Sequence, residues 1–304
     1  MLQRSIYFIV GISVLTWLGC NSSGTESDHK SEIASRQLPE PFGDYWYQSK
    51  AEINRYDLYQ ERYGEIRNGD AILIFVTEDF LPGKQVKADD FRNPDAKKVM
   101  KLNHIRKFVT GIYDYSVMTS VFVPLYTMEG AWKISTSSQE WCGHSWIQLN
   151  KQNGRWAVEG HSYFEKEADT SYTLPDAWTE DELMIWARLD PEQLPTGPID
   201  MIPSALGSRL YHHPSSINHA EASWEESLGD TLVYQVDFTE QKHKVILYIQ
   251  KAFPHQIWGW DESPVGKSDQ PELYTRARLR QTILEPYWQQ NAVKDSVERV
   301  RLMM

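Results

Sequence analysis

Cysteine is nearly absent: 304 residues contain two, Cys20 and Cys142. So few thiols exclude a disulfide scaffold and a structural zinc site built from four cysteines. Positive charge is also scarce, with 31 Lys and Arg against 42 Asp and Glu, a formal net charge of −11. Phosphate backbones are held mainly by cationic side chains. This balance therefore excludes nucleic acid as a partner, and broad electrostatic adhesion to anionic lipid with it. No P-loop or dinucleotide-type glycine motif occurs, which removes the commonest phosphate cradles. No apolar run reaches the roughly 20 residues that a spanning helix needs.

What is present begins at the N-terminus. Arg4 precedes an uncharged, mostly apolar run from Ile6 to Leu18, followed by Gly19 and Cys20. A positive start and a short apolar core describe a secretory signal peptide over residues 1–19; an uncleaved signal anchor is the other reading of the same run. The small residue before a cysteine resembles the lipobox of bacterial lipoproteins. That resemblance implies cleavage before Cys20, acylation of Cys20 (palmitate among the chains) and a membrane partner held through lipid. Asn21 implies the outer membrane, facing the periplasm, by the sorting rule of enteric bacteria. From Asn21 to Gln37 the chain is rich in Ser, Glu, Asp and Lys. It cannot bury enough surface to offset ordering entropy, so residues 20–40 are expected to be a flexible tether and 41–304 a single β-rich domain ending in a short helix.

Within that domain, apolar and β-branched runs alternate with turn signals. Strands are expected over Ala51 to Tyr63, Ala71 to Phe80, Lys98 to Phe108, Ile112 to Tyr126 and Trp132 to Ser138, with Arg67-Asn68-Gly69-Asp70 as a tight turn. Leu232 to Phe238 and Val245 to Gln250 read as a hairpin. Thr179 to Glu182 resembles a capping box leading into a helix that Pro191 stops, and a second helix is expected from about Asn291 to Leu302. Arg276, Arg278 and Arg280 alternate along a strand and share a face. The expected fold is mainly β: an antiparallel open barrel or curved-sheet domain with one or two helices.

The richest local signal is EWCGHSWIQLNKQNGRWAVEGHSYFE, from Glu140 to Glu165. Asn153-Gly154 is a two-residue hairpin turn, so Gln152 faces Arg155, Ser145 faces Ser162 and Trp146 faces His161. One face then carries Ile147, Leu149, Trp156 and Val158 with the small residues Gly143, Ser145, Gly160 and Ser162. That is the core face, and its small residues imply close approach by another group. The other face carries Cys142, His144, Trp146, His161 and Tyr163. Three readings of it stand: a solvated strand face, a ligand groove lined by His144, Trp146, His161 and Tyr163, or a metal or thiol site using Cys142, His144 and His161. Gly143-His144-Ser145 and Gly160-His161-Ser162 lack the last glycine of a serine-hydrolase elbow. No catalytic residues and no cofactor are assigned.

Ala51 to Phe80 (AEINRYDLYQERYGEIRNGDAILIFVTEDF), Gln139 to Gly143 (QEWCG) and His161 to Ala168 (HSYFEKEA) together resemble a family of bacterial lipoproteins of unknown function. Some of its members are labelled septum formation inhibitor Maf. The Ser-x-Ser-Pro-Arg-Arg motif of true Maf pyrophosphatases is absent here, and the family supplies no catalytic residues. The expectation is a membrane-anchored lipoprotein of the cell envelope, more a binder than an enzyme. It would take an envelope protein, or a small hydrophobic or sugar ligand, on a concave sheet. The alternative is an envelope hydrolase using Cys142 or a metal held by His144 and His161.

Overall fold

The structure is a computed structural model that describes residues 34–303. The expected signal peptide, Cys20 and most of the expected tether lie outside the described residues.

In chain order the elements are α1 (Pro41–Trp46), β1 (Ala51–Arg62), β2 (Glu65–Leu81), β3 (Val86–Lys87), β4 (Lys97–Thr110), β5 (Tyr113–Pro124), β6 (Lys133–Glu140), β7 (Gly143–Gln152), β8 (Arg155–Ser162), β9 (Thr170–Pro175), β10 (Trp178–Thr179), α2 (Leu183–Leu189), β11 (Gly197–Ile202), α3 (Ala205–Tyr211), β12 (Asn218–Leu228), β13 (Thr231–Phe238), β14 (His243–Gln250), β15 (Ile257–Glu262) and β16 (Thr275–Glu285). They build one 16-stranded sheet, ordered β10-β11-β12-β13-β14-β15-β16-β1-β2-β4-β5-β6-β7-β8-β9, with β3 on β2 alone. Every pairing is antiparallel except β10 with β11. The sheet is curved and unclosed, as the sequence pattern implied. Only two residues separate the end of β9 from the start of β10. At about 3.4 Å per residue, the two edges of the path therefore approach within roughly 10 Å. Register shifts between β1 and β16 and between β14 and β15 add local bending.

The curl encloses α2, all seven residues of which are buried. A helix apolar on every side is stable only inside a core. Its entry is the expected capping box: the Thr179 N–H donates to Glu182 Oε1 at 2.9 Å. Glu182 Oε2 accepts from the Ala131 N–H and from Trp186 Nε1. One residue of α2 is charged. Arg188 is fully buried and meets Glu52 of β1 through both carboxylate oxygens, the Nη2–Oε2 distance being 2.7 Å. Its Nε donates to the Pro254 carbonyl, and its guanidinium lies over Trp46 and Phe75. Glu52 also accepts from Tyr45 and Asn54. Burial by itself would raise the Glu52 carboxyl, but Arg188 and these hydrogen bonds hold it below its ordinary value.

Central strand β1 is covered on both faces. Tyr56 and Leu58 join the interior, while Ala51 and Ile53 form an outer cluster with Ile72, Val76 and Ile283. Leu302, at the end of a 3-10 helix spanning Val293–Leu302, packs on that cluster. This is the expected C-terminal helix in a tighter form; its valines stay exposed.

Three local expectations change. Arg67 to Asp70 is not a turn but lies within β2, near its start; the chain reverses at Tyr63-Gly64, both at positive φ. Gly69 instead permits close strand approach, since a Cβ there would lie 2.2 Å from the Lys107 carbonyl oxygen. Secondly, part of the expected tether is packed. Ser35 bridges to Thr127, and buried Arg36 donates to the Pro124 carbonyl and stacks on Trp186. An aromatic face and a carbonyl acceptor offset the cost of ordering this polar stretch. Thirdly, α1 and α3 bring the α-helices among the described residues to three, each under two full turns and too short to show a period. The arginine row of β16 is balanced, Arg276 and Arg278 facing Asp261 and Arg280 facing Asp57.

Replacing one partner of the buried pair leaves an uncompensated charge. Glu52→Ala is expected to lower unfolding free energy by about 3–5 kcal/mol, whereas Glu52→Leu combined with Arg188→Met recovers most of that loss. Urea denaturation of the three chains checks this.

Candidate ligand-binding site

The β7–β8 hairpin has the register that its turn dictates: Gln152 pairs with Arg155, Ser145 with Ser162 and Trp146 with His161. Asn153 and Gly154 both take positive φ, as a two-residue turn requires. Leu149, Trp156 and Val158 are buried on the core face. On the outer face the Trp146 and His161 rings stack at 5.7 Å. His161 Nδ1 lies 3.3 Å from Asp169, and His144 is exposed. Tyr163 stands beyond the end of β8, 78% exposed. The outer face therefore brings Trp146 and His161 together but does not enclose a groove with His144 and Tyr163.

Cys142 does not lie on that strand face. It belongs with Trp141 to the two-residue turn closing β6 on β7, where Glu140 pairs with Gly143. The chain reverses there, so Cys142 is not part of the face that carries His144 and Trp146. Its thiol is exposed, and the hydrogen bond and negative charge of Glu140 push its pKa up, disfavouring the thiolate a nucleophile needs. Among the described residues no group of three His, Cys, Asp or Glu is arranged to hold a metal ion. The metal arrangement expected from Cys142, His144 and His161 is thus not formed.

The cavity lies on the opposite, core side of the same hairpin. It measures about 190 Å³ and is bounded by Ser145, Ile147, Gly160 and Ser162 of the hairpin, by Tyr172 of β9, by the β8–β9 loop and by α3 with the residues after it. Trp146 and His161 border it too; strand alternation points their side chains away, so they contribute backbone. The small residues that implied close approach are the ones that leave room. Gly160 is tight on one side, since a Cβ there would meet Thr170 Oγ1 at 2.8 Å.

Helix α3 starts at Ser204, whose Oγ accepts from the Gly207 N–H, and ends at His212 in the left-handed region. It delivers Arg209, which is 7% exposed, to the cavity wall. Arg209 Nη1 lies 3.3 Å from Glu167 and Nη2 3.7 Å from Glu140, and the guanidinium stacks on Phe164. Glu167, in the β8–β9 loop, also accepts from Ser162 Oγ at 2.6 Å and meets His212 Nδ1 at 2.6 Å. One loop carboxylate thus ties hairpin, loop and helix together. Arg209 Nε and Ser215 Oγ, inaccessible atoms of two residues near the cavity, have no hydrogen-bond partner among the described residues. Sequence reading singled out neither; only the cluster of small residues pointed to this side.

Beneath α3 lies a second, charged interior. Glu180 accepts from the Ser204 N–H and faces His243 Nε2 at 3.4 Å, while Asp181 accepts from the Ala205 N–H at 2.9 Å. Arg106 is paired with Glu262 and hydrogen-bonded to His104. Glu180, Asp181, His104, Arg106 and Glu262 border a space of about 30 Å³, little more than a water molecule. Burial pushes the Asp181 carboxyl up to about 7; the Ala205 N–H opposes the rise and the Glu180 charge adds to it. Burial works against a charged His243, but Glu180 outweighs it and raises its pKa.

No protein-family model, no curated protein and no solved structure matches the chain.

A group whose folded pKa is raised holds its proton in the folded state after the unfolded chain has released it. Asp181 therefore contributes stability below its ordinary 3.8, and that contribution is lost as pH rises towards 7. Between pH 4 and 7 the wild-type chain is expected to lose on the order of 1–4 kcal/mol through this group, and Asp181→Asn to flatten the slope. Guanidinium unfolding at successive pH values checks the difference between the two chains.

Proposed function

We propose that this chain is a lipoprotein of the bacterial cell envelope, held through lipid on Cys20 at the outer membrane and facing the periplasm. Its folded part binds a small molecule without chemistry on it, in the cavity between the β7–β8 hairpin and α3. The observation that carries the binding reading is the cavity wall itself. It has room for a molecule of about ring size between the small residues of the hairpin and the apolar side chains of Ile147, Ala205 and Pro214. An engineered cavity of about 150 Å³ holds benzene, which sets the scale.

The membrane part of the reading rests on the signal-like run ending at Gly19-Cys20 and on the lipoprotein resemblance. The non-catalytic part rests on the disfavoured Cys142 thiolate. The envelope supplies the setting in which a tethered binder would meet small solutes.

The intact chain purified from its envelope is expected to carry a small molecule visible by native mass spectrometry. Ile147→Trp, which fills the cavity from β7, is expected to remove that mass while leaving the circular dichroism spectrum unchanged. A bare mass for the wild-type chain, or an added mass that survives Ile147→Trp, overturns the cavity reading. Hydroxylamine-resistant fatty acid on Cys20, in a peptide beginning at that residue, checks the anchor.

A further inference from the structure

The place where the chain enters the fold decides which end of the sheet an anchor at Cys20 holds near the bilayer, an inference that rests on the lipoprotein reading above. Ser35 bridges to Thr127, and the Arg36 N–H donates to the Tyr126 carbonyl at 3.0 Å. Both partners follow the end of β5. The entry end of the sheet is therefore the one made by Pro124 of β5, Val99 of β4, Ala51 of β1 and Glu285 of β16. The opposite end is made by the turns at Tyr63-Gly64, Gly111-Ile112 and Trp141-Cys142. The two are a strand apart, and the 14 residues of β4 span about 45 Å. Fourteen residue steps separate Cys20 from Ala34. As a coil, a chain of that length spans about 20 Å, and fully extended roughly 50 Å. Lipid on Cys20 thus keeps the entry end nearer the bilayer than the opposite end.

The entry end carries an apolar surface that the fold leaves open. The 3-10 helix Val293–Leu302 lies there on the outer side of the sheet, where Arg301 pairs with Glu285 and Leu302 packs on the cluster of Ala51, Ile53 and Ile283. Residues three apart eclipse one another in such a helix. Val297 and Val300 therefore stand in line, 65% and 74% exposed, and Val293 is 93% exposed. Single exposed apolar residues are ordinary, but several on one short helix mark an interaction surface. Trp288, between β16 and this helix, is also exposed. An indole joins an apolar body to a polar tip and is favoured at membrane–water interfaces. Over residues 293–303 three cations stand against two carboxylates, in a chain of net charge −11. Lys294 and Arg299 are exposed, and such side chains lay their stems on apolar surface while their heads meet water or phosphate.

We propose that the 3-10 helix Val293–Leu302 is the seat on which the anchored domain rests against the bilayer, with Val293, Val297, Val300 and Trp288 at the lipid–water interface. The turns at Ile112 and Trp141 then point away from it. A tether supplies the bilayer at high effective concentration, so a small apolar surface is enough to fix the orientation.

The test uses the intact, lipid-bearing chain in vesicles of phosphatidylethanolamine with a minority of phosphatidylglycerol. In a Cys142→Ser background, Val297→Cys and Ile112→Cys each carry one nitroxide label, both at exposed positions where folding is not at stake. Collision with oxygen, which concentrates in lipid, is compared with collision with a water-soluble nickel chelate. The expected result is that Val297 meets oxygen and is shielded from nickel, with the reverse order at Ile112, unchanged in high salt. Equal exposure of both labels to nickel overturns the seat, and so does a lipid signal at Ile112 with none at Val297. A Val297 label shielded from oxygen and nickel alike reports a protein partner or a second copy and overturns it too. Any of these with fatty acid on Cys20 leaves the anchor reading standing. Absence of that fatty acid overturns the anchor and the seat together.

Discussion

The buried pair between Arg188 and Glu52 is the contact on which the arrangement depends. A curved sheet of this width needs something in its hollow, and the chain supplies α2, a helix buried on every side. Apolar packing is non-directional and would tolerate several seatings of such a short helix. A fully buried guanidinium tolerates few, because its charge must meet an opposite charge and its donors must be used. Glu52 supplies the charge from β1, in the middle of the strand order, and the Pro254 carbonyl takes Nε. The price is desolvation of two charges, offset by hydrogen bonds from Tyr45 and Asn54 and by the aromatic faces of Trp46 and Phe75.

With α2 fixed, the 3-10 turn before it is fixed as well, and that turn governs α3. Glu180 and Asp181 accept the Ser204 and Ala205 N–H groups, two of the donors left open at the start of α3. Helix α3 then presents Arg209 to the hairpin side, where Glu167 and Glu140 hold its guanidinium. The chain of contacts from β1 through α2 and the buried carboxylates to the cavity wall is continuous. It explains why carboxyl groups with shifted pKa lie beneath the cavity wall without belonging to it. They position a helix, and the helix positions the arginine.

The face expected to bind and the face that carries the cavity differ for an instructive reason. Polar and aromatic side chains such as His144, Trp146, His161 and Tyr163 draw attention in a sequence because they carry chemistry. In the structure they stand on the outer face or beyond the strand end. The cavity is made on the other face by residues that do little chemically: Ser145, Gly160 and Ser162 leave space. The functional groups around that space arrive from the β8–β9 loop and from α3, more than 40 residues from the hairpin turn in the case of Arg209.

By itself the sequence determined whatever depends on near neighbours. The alternation of apolar residues made the chain mainly β, and Asn153-Gly154 set a hairpin register and with it the two faces of β7 and β8. Thr179 and Glu182 set the entry to α2. These signals are legible because a turn, a cap or a strand face is decided within a few residues. Only the tertiary structure decided which partner Arg188 finds on β1, that Arg36 docks on Trp186, and that Gly69 marks a close strand approach rather than a turn. The same holds for Arg209 of α3 meeting Glu140 and Glu167 beside one cavity. Each is a pairing across the fold between segments whose order in the chain places no limit on their distance, so burial and complementary charge choose the partner only once the sheet has curled.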